Sequence, residues 1–581
     1  MRILLLAHSF NNLAQRVFCE LSGRGHELSV EFDVNDQLLE DAVSLFRPDI
    51  IVAPYLRRAI PESVWRRCVC LIVHPGPVGD QGPSAIDWAL MKGVAQWGVT
   101  VLQAEAQLDG GPVWAAQAFA MRPASKSSLY RNEVTEAAVQ ALLLALERFE
   151  GGRFSPAPVP SGQSCWRPLV KQADRAIDWS TSSAQVLARL RAADGHPGVL
   201  DHMLGQEVYL FDPHEEDQLR GAPGEVIARR GQAVCRATGD GAVWIGHLRK
   251  KPTDGERTFK LPAAMVLGEA IEHLPHSCCE LTDQARLRTL REIRYEERNG
   301  VGYLHFPFYN GAMSTEQCER LLAAYRSATS RPTRVIALMG GPDFWSNGIH
   351  LHVIEAADSA ADESWRNINA MNDLVRSVIA TTSQLTIAAL QGNAAAGGVF
   401  FALAADFVLA RRGVILNPHY KSMGNLYGSE YWTYLLPKRV GVEAALSITQ
   451  RRLPMGAGQA RALGLIDDCF GENPEGFRTE VERFAEALAN SPEWSGNLEA
   501  KRLGLKRDMA VKPIEQYGAE ELAVMHSNFY GFDPSYHVAR FHFVHKVLPS
   551  RTPLYLASHR RSGRVSRDGS NVRVPATAPP R

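Results

Sequence analysis

Strand and helix signals alternate from the first residues, and this rhythm most narrows the folds open to the chain. Arg2 to Leu6 is an apolar run of strand length, and Asn12 to Gly23 follows with helical spacing. His26 to Val30 reads as a second strand, Leu38 to Phe46 as a second helix, and Asp49 to Ala53 as a third strand. A first strand apolar on both faces belongs inside a parallel sheet, and the intervening helices supply the crossovers such a sheet needs. The pattern predicts a doubly wound, Rossmann-like α/β domain. No G-x-G-x-x-G follows the first strand, so a dinucleotide is not expected.

The rhythm stops and later resumes. Gly151 to Pro160 is a Pro/Gly-rich linker. A short helix at Ser183 to Ala193 precedes strand-like runs at Glu207–Phe211, Gly224–Ala228 and Ala242–Gly246, with Gly-rich turns. These predict a small, OB-like β-barrel. A polar stretch from Leu274 to Leu290 leads to a second α/β region, with strands at Val335–Met339 and Leu385–Leu390 and a helix near Trp365 to Ala380. At 581 residues the chain is too long for one core. The divisions expected are 1–155, 165–272, 285–556 and an Arg/Ser/Pro-rich tail, 557–581, that reads as disordered and solvated.

Composition removes several classes of function. Lys+Arg and Asp+Glu are equal at 63 each, so no general nucleic-acid surface is expected. No apolar run approaches the length of about 18 residues needed for a membrane span. The apolar start at Met1 to Ala7 is too short for a signal peptide and lacks an A-x-A site, so a buried strand is expected there. The nine cysteines are scattered and off the C-x-x-C spacing, as expected of reduced thiols in a cytoplasmic protein. Cys68, Cys70 and His74 could form a metal group, but strand alternation more readily buries one thiol as a small hydrophobe, and no metal is expected.

Two turns rich in small residues carry the first chemical signal: Trp345 to Leu351 (WSNGIHL) and Ala394 to Asp406 (AAAGGVFFALAAD). Small residues at a sharp turn let a backbone N–H point freely at a ligand. Two such donors make an oxyanion hole. The spacing resembles the crotonase (enoyl-CoA hydratase/isomerase) superfamily. Gly311–Thr315, Asn417–Gly424, Leu435–Gly441, Ala457–Ile466 and Phe543–Lys546 extend the resemblance over about Glu292 to Lys546. It implies an acyl-CoA pocket whose oxyanion donors are the N–H groups of Ile349 and Gly397. The family's two catalytic glutamates fall at Phe400 and His419, so hydration of a double bond is not expected. Tyr420, next to the vacated position, and Glu430, after Gly428-Ser429, are the candidates for proton transfer. Their structural alternatives are a half-buried aromatic and a first-turn helix residue favoured by the helix dipole. His350 is a third candidate.

The N-terminal half carries the second signal. His74 stands at the end of a strand and opens a Gly/Pro loop that runs through Trp88; Gly98 to Pro112 follows. Open α/β sheets bind ligands at that edge. These segments resemble the formyltetrahydrofolate-using formyltransferases and hydrolases, whose catalytic set is Asn-x-His plus a later Asp. His74 and Asp109 match; the Asn position is Ile72. Ala176–Trp179 and Arg189–Gly198 resemble the start of that family's C-terminal domain, which carries the likeness to about residue 270. Formyl transfer needs a base for the acceptor and donors for an oxyanion. His74 suits either task, and Asp109 can orient it or take up protons.

A formyl-handling half joined to an acyl-CoA half points to formyl-CoA as a shared intermediate. The pairing resembles the HypX/HoxX family of hydrogenase maturation factors. That resemblance implies carbon monoxide synthesis for the NiFe hydrogenase active site. Formyl would pass from 10-formyltetrahydrofolate to coenzyme A, and formyl-CoA would then lose CO, with Glu430 as base and Tyr420 as acid. Arg131 and Lys546 are candidate contacts for the CoA phosphates, against the plainer reading of solvated surface charges. Expected partners are the two small molecules and hydrogenase maturation proteins. Two alternatives stay open: a formyl-folate hydrolase or formyltransferase to another acceptor, and a non-catalytic folate- and CoA-binding maturation scaffold.

Overall fold

The computed structural model describes residues 1–562, apart from 160, 161, 163, 254 and 283–286. Its first sheet has six strands in the order Glu27–Phe32, Arg2–Ala7, Ile50–Tyr55, Cys70–His74, Gln96–Gln103, Val113–Ala120. The first four are parallel; Gln96–Gln103 runs against them, and Val113–Ala120 turns back to pair antiparallel with it. Ile3, Leu4, Ile50, Val52 and Leu71 are fully buried, as a sheet covered on both faces requires. Helices Asn12–Gly23 and Asp36–Phe46 start where Asn11 and Asn35 accept the N–H groups of Ala14 and Leu38, at 3.0 and 2.9 Å.

The middle region is an antiparallel sheet in the order Val226–Arg230, Ala233–Ala237, Ala242–Lys250, Gln206–Glu216, Val199–Met203, with Leu261–Pro262 added to Ala242–Lys250. Helices Ser183–Ala193 and Ala263–Leu267 share its core through Val186, Leu190, Val243, Ile245 and Val266.

The third region stacks a large sheet on a small one. The large sheet runs Arg294–Arg298, Val301–His305, Val335–Gly340, Leu385–Leu390, Phe407–Arg411, Asp468–Phe470. The small sheet runs Phe344–Ser346, Asn393–Ala395, Ile415–Asn417, Met455–Gly456. Phe344–Ser346 and Asn393–Ala395 are parallel neighbours, so the two small-residue turns emerge side by side. Helices Pro474–Asn490, Trp494–Val511, Ile514–Tyr530 and Ser535–Val544 complete the region. Among the described residues, no helix is long and apolar enough to cross a membrane.

The two halves are stitched together by buried and half-buried polar groups. Arg411 is buried and donates to Gln391 O at 2.8 Å and to Asn132 Oδ1 at 3.2 Å. Asp343 accepts from Ser128 and Asn132 at 2.7 and 2.9 Å. Asn417 donates to Gln15 at 3.0 Å, and Asn393 donates to Asn12.

The segment expected to be a solvated tail is folded at its start. Ser558–Ser562 is helical, and Ala557 and His559 are buried against the outer strand Glu27–Phe32. The reason is Glu31, a fully buried acid. It takes Arg560 Nη2 at 2.9 and 2.8 Å, Thr552 Oγ1 at 2.7 Å, and has His559 Nε2 at 3.1 Å. The remainder of the expected tail, 563–581, lies outside the described residues.

Candidate functional site

His74 ends strand Cys70–His74, and both its ring nitrogens face carboxylates. Nε2 is 3.0 Å from Asp80 Oδ2, and Nδ1 is 3.7 Å from Asp109 Oδ1. Arg167 donates to the other oxygen of Asp80. A carboxylate so occupied accepts, which assigns the ring proton to Nε2 and leaves Nδ1 beside Asp109 as the proton acceptor. Gly76 makes the pair possible: a Cβ there would stand 2.6 Å from His74 Nε2 and against Asp80. Asp109 adopts φ 52° and accepts the Gly82 N–H at 3.1 Å. Sequence reasoning passed over Asp80, because an acid in a Gly/Pro loop reads as an ordinary turn residue.

The thioester cradle forms where the two turns meet. Ala396 has φ 48° and ψ −128°, a backbone that residues with a Cβ rarely adopt. It aims the N–H of Gly397, the first residue of helix Gly397–Leu403 and so a donor without an intrahelical acceptor. Gly348, at φ 78°, stands close enough that a Cβ on it would be 3.4 Å from that nitrogen; Ile349 follows. Phe400 is fully buried and stacks on Tyr420 with ring centroids 5.3 Å apart. His419 is also buried, and its ring is pushed down to about 4 by burial.

Tyr420 donates a short hydrogen bond to Glu430 Oε2. Both side chains are buried. Burial lifts the Glu430 carboxyl to about 7, against the opposing pull of the Tyr420 hydroxyl, and holds the Tyr420 hydroxyl well above its usual range. Glu430 is not a first-turn helix residue: it and Tyr431 have φ 59° and 58°, and the helix begins at Trp432. Gly428 permits the arrangement, since a Cβ there would overlap the Tyr420 ring.

One cavity of about 1880 Å³ joins these centres. Its lining includes His74 and Asp109 from the first region and Ile349, Gly397, Tyr420 and Glu430 from the third. Ile72 and Arg131 also line it. Arg131 lies in a π-helical turn, Tyr130–Val134, over the Phe344 ring at 4.6 Å and 3.6 Å from Asp343. Lys546 does not line the cavity; its ammonium stands over the Phe543 ring at 4.3 Å. His350 is also outside the lining and serves as a helix cap, accepting the Val353 N–H at 3.2 Å. Among the described residues no cluster of His, Cys, Asp and Glu could hold a metal ion.

Comparison with known proteins follows the same division. Family models match in three stretches: formyl transferase over residues 21–146, formyl transferase C-terminal domain over 169–261, and enoyl-CoA hydratase/isomerase over 296–526. The hydrogenase maturation factor HoxX of Bradyrhizobium diazoefficiens is 53% identical over 565 residues, covering 96% of this chain and 97% of that protein. The crystal structure of HypX from Aquifex aeolicus in complex with tetrahydrofolic acid is 48% identical, with a TM-score of 0.94, covering 97% of this chain and 99% of that one. The methionyl-tRNA formyltransferase of Roseiflexus castenholzii is 28% identical over 237 residues, 38% of this chain and 74% of that protein.

Proposed function

Since the chain belongs to the HoxX/HypX family of hydrogenase maturation factors, we propose that it makes carbon monoxide in two steps within one cavity. Formyl passes from 10-formyltetrahydrofolate to the thiol of coenzyme A, and formyl-CoA then splits into CO and CoA. The observation that carries the reading is the continuity of the cavity from His74 to Glu430. The tetrahydrofolic acid bound by the Aquifex HypX supports folate as a ligand of the first half.

In the first step, Nδ1 of His74 takes the thiol proton, and Asp109 steadies the resulting charge. The sulfur attacks the formyl carbon, the carbon–nitrogen bond breaks, and the folate nitrogen recovers the proton. Ile72 offers no hydrogen bond to the formyl oxygen, so that task falls to His74 once protonated. In the second step, the N–H groups of Ile349 and Gly397 polarise the formyl C=O. Glu430 removes the formyl hydrogen as a proton. The carbon–sulfur bond breaks with its electrons going to sulfur, and Tyr420 protonates the sulfur. The short bond between Glu430 and Tyr420 then returns the proton to the tyrosine, which resets the pair. A dry, aromatic wall at Phe400 suits this step, because water there would hydrolyse the thioester instead.

The test supplies labelled 10-formyltetrahydrofolate with CoA and traps gas on a haem protein. Labelled CO is the expected product. Labelled formate alone would make the chain a hydrolase, and no turnover would make it a binding scaffold.

A further inference from the structure

Glu521 is a buried acid beside the thioester pocket that the scheme above does not use. It sits on helix Ile514–Tyr530, and its carboxylate accepts four hydrogen bonds. Oε2 takes the Tyr431 N–H at 2.9 Å and the Ser429 hydroxyl at 3.3 Å. Oε1 takes the Thr433 N–H at 2.8 Å and its hydroxyl at 2.6 Å. The direction of each bond is fixed. Asn372 accepts the Glu430 N–H through Oδ1 at 2.8 Å, so its amide nitrogen donates to Ser429 Oγ at 2.8 Å. The Ser429 proton is thereby left to Glu521. All four partners are donors, which favours the ionised carboxylate, while burial works against them and raises Glu521 to about 7.

These contacts fall on Ser429, Tyr431 and Thr433 and so bracket Glu430, which with Tyr431 forms a pair of consecutive non-glycine residues in the left-handed region. Such residues persist only where their surroundings over-determine them. The helix that follows, Trp432–Val440, gets no hydrogen bond from its own N-cap side chain. Glu521 supplies that cap from a distant element.

We propose that Glu521 is a positioning residue for the Glu430–Tyr420 pair: it pins the turn that presents Glu430 and stands behind it as a second buried acid whose ionised form opposes the ionisation of Glu430, which keeps Glu430 a strong base. The proposal deepens the reading given above and rests on it. Among the described residues, three titratable groups face Glu430: Tyr420 from its own segment, Glu521, and Cys318 from helix Thr315–Thr329. Helix Gly397–Leu403 presents none, and helix Ala360–Ile379 presents the neutral Asn372. Burial is the main cause of the raised Glu430 carboxyl, and the Glu521 charge adds to it. A negative charge behind a carboxyl opposes its ionisation, so removing Glu521 lowers the pH at which Glu430 ionises.

The experiment is an infrared pH titration of the full chain without substrate. The carboxylic-acid band that disappears in Glu430→Gln reports Glu430. In Glu521→Gln this band is expected to titrate at least about 1 pH unit lower than in the unaltered protein. The pH midpoint of CO release from formyl-CoA is expected to move down with it. A folded Glu521→Gln variant whose band titrates unchanged overturns the proposal; a purely structural role would alter rate without moving the midpoint. Coupling between two sites is reciprocal. If Glu521→Gln does not fold, the Glu521 band in Glu430→Gln must itself titrate lower than in the unaltered protein, and an unmoved band there also overturns the proposal. Absence of CO from the unaltered protein would sink the two-step reading and leave the infrared result to judge Glu521 by itself.

Discussion

Glu430 acts as a base only when ionised, and burial lifts its carboxyl to about 7. The neutral acid therefore dominates below that pH, and the carboxylate above it. CO release from supplied formyl-CoA should rise as pH increases through about 7 and then level off, because the Tyr420 hydroxyl, held well above its usual range, remains protonated. A rate that falls across that interval would reverse the assigned roles. Glu430→Gln removes the proposed base and Tyr420→Phe the proposed acid, and each should slow CO release by about 100-fold or more. Both are measured as haem-bound CO, and either variant keeping full rate removes that residue from the mechanism. Of the residues nominated from sequence, His350 lies outside the cavity lining, and so does Lys546. Its position at the end of the chain's helical region gave no sign that its ammonium would settle over Phe543.

At the scale of elements, the Gly428 turn ties one half-reaction to local backbone. It has φ 90°, and a Cβ would run into the Tyr420 ring. Gly428→Ala should displace the tyrosine while leaving the His74 site, in another sheet, undisturbed. Formyl-CoA should then accumulate from formyl-folate and CoA with little CO, as chromatography of the CoA esters would show; normal CO output would mean the tyrosine's place is not critical. Turns of this kind were legible beforehand, since a glycine at a sharp bend has a local steric cause. The strand–helix order was legible for a similar reason: periodicity is local. Long-range partners were not. Glu430 read as a first-turn helix residue because the cap that holds it in a left-handed turn comes from Glu521, on a helix far along the chain. The C-terminal strap read as solvent-loving because its Arg and Ser residues give no hint of Glu31, buried in a strand whose other acid, Glu27, is exposed.

For the whole molecule, two devices keep the halves in one piece. The first is the clasp at Glu31. Removing one member of a buried ion pair strands the others. Arg560 is near enough to the surface to recover water, so Glu31→Ala should cost about 3 kcal/mol, the low end for such a loss. Urea unfolding of the full chain would measure it, and an unchanged curve would reduce the clasp to a bystander. The second device is the cavity itself. Its polar seam, Asn12 and Gln15 against Asn393 and Asn417, fixes the formyltransferase sheet on the thioester half. A thioester formed at His74, as proposed, would have a continuous route to Glu430 along the cavity and no need to leave the protein. An isotope-dilution experiment separates transfer inside the cavity from release and recapture. Labelled 10-formyltetrahydrofolate and CoA are supplied together with an excess of unlabelled formyl-CoA. If the intermediate entered solution, the excess would swamp it, and the CO would carry almost no label. Transfer within the cavity predicts that most CO formed from folate keeps its label, at a rate the excess slows only by competing for the entrance. Loosening the seam with Asn393→Ala should then lower the retained label without abolishing either half-reaction, because the seam touches neither His74 nor Glu430.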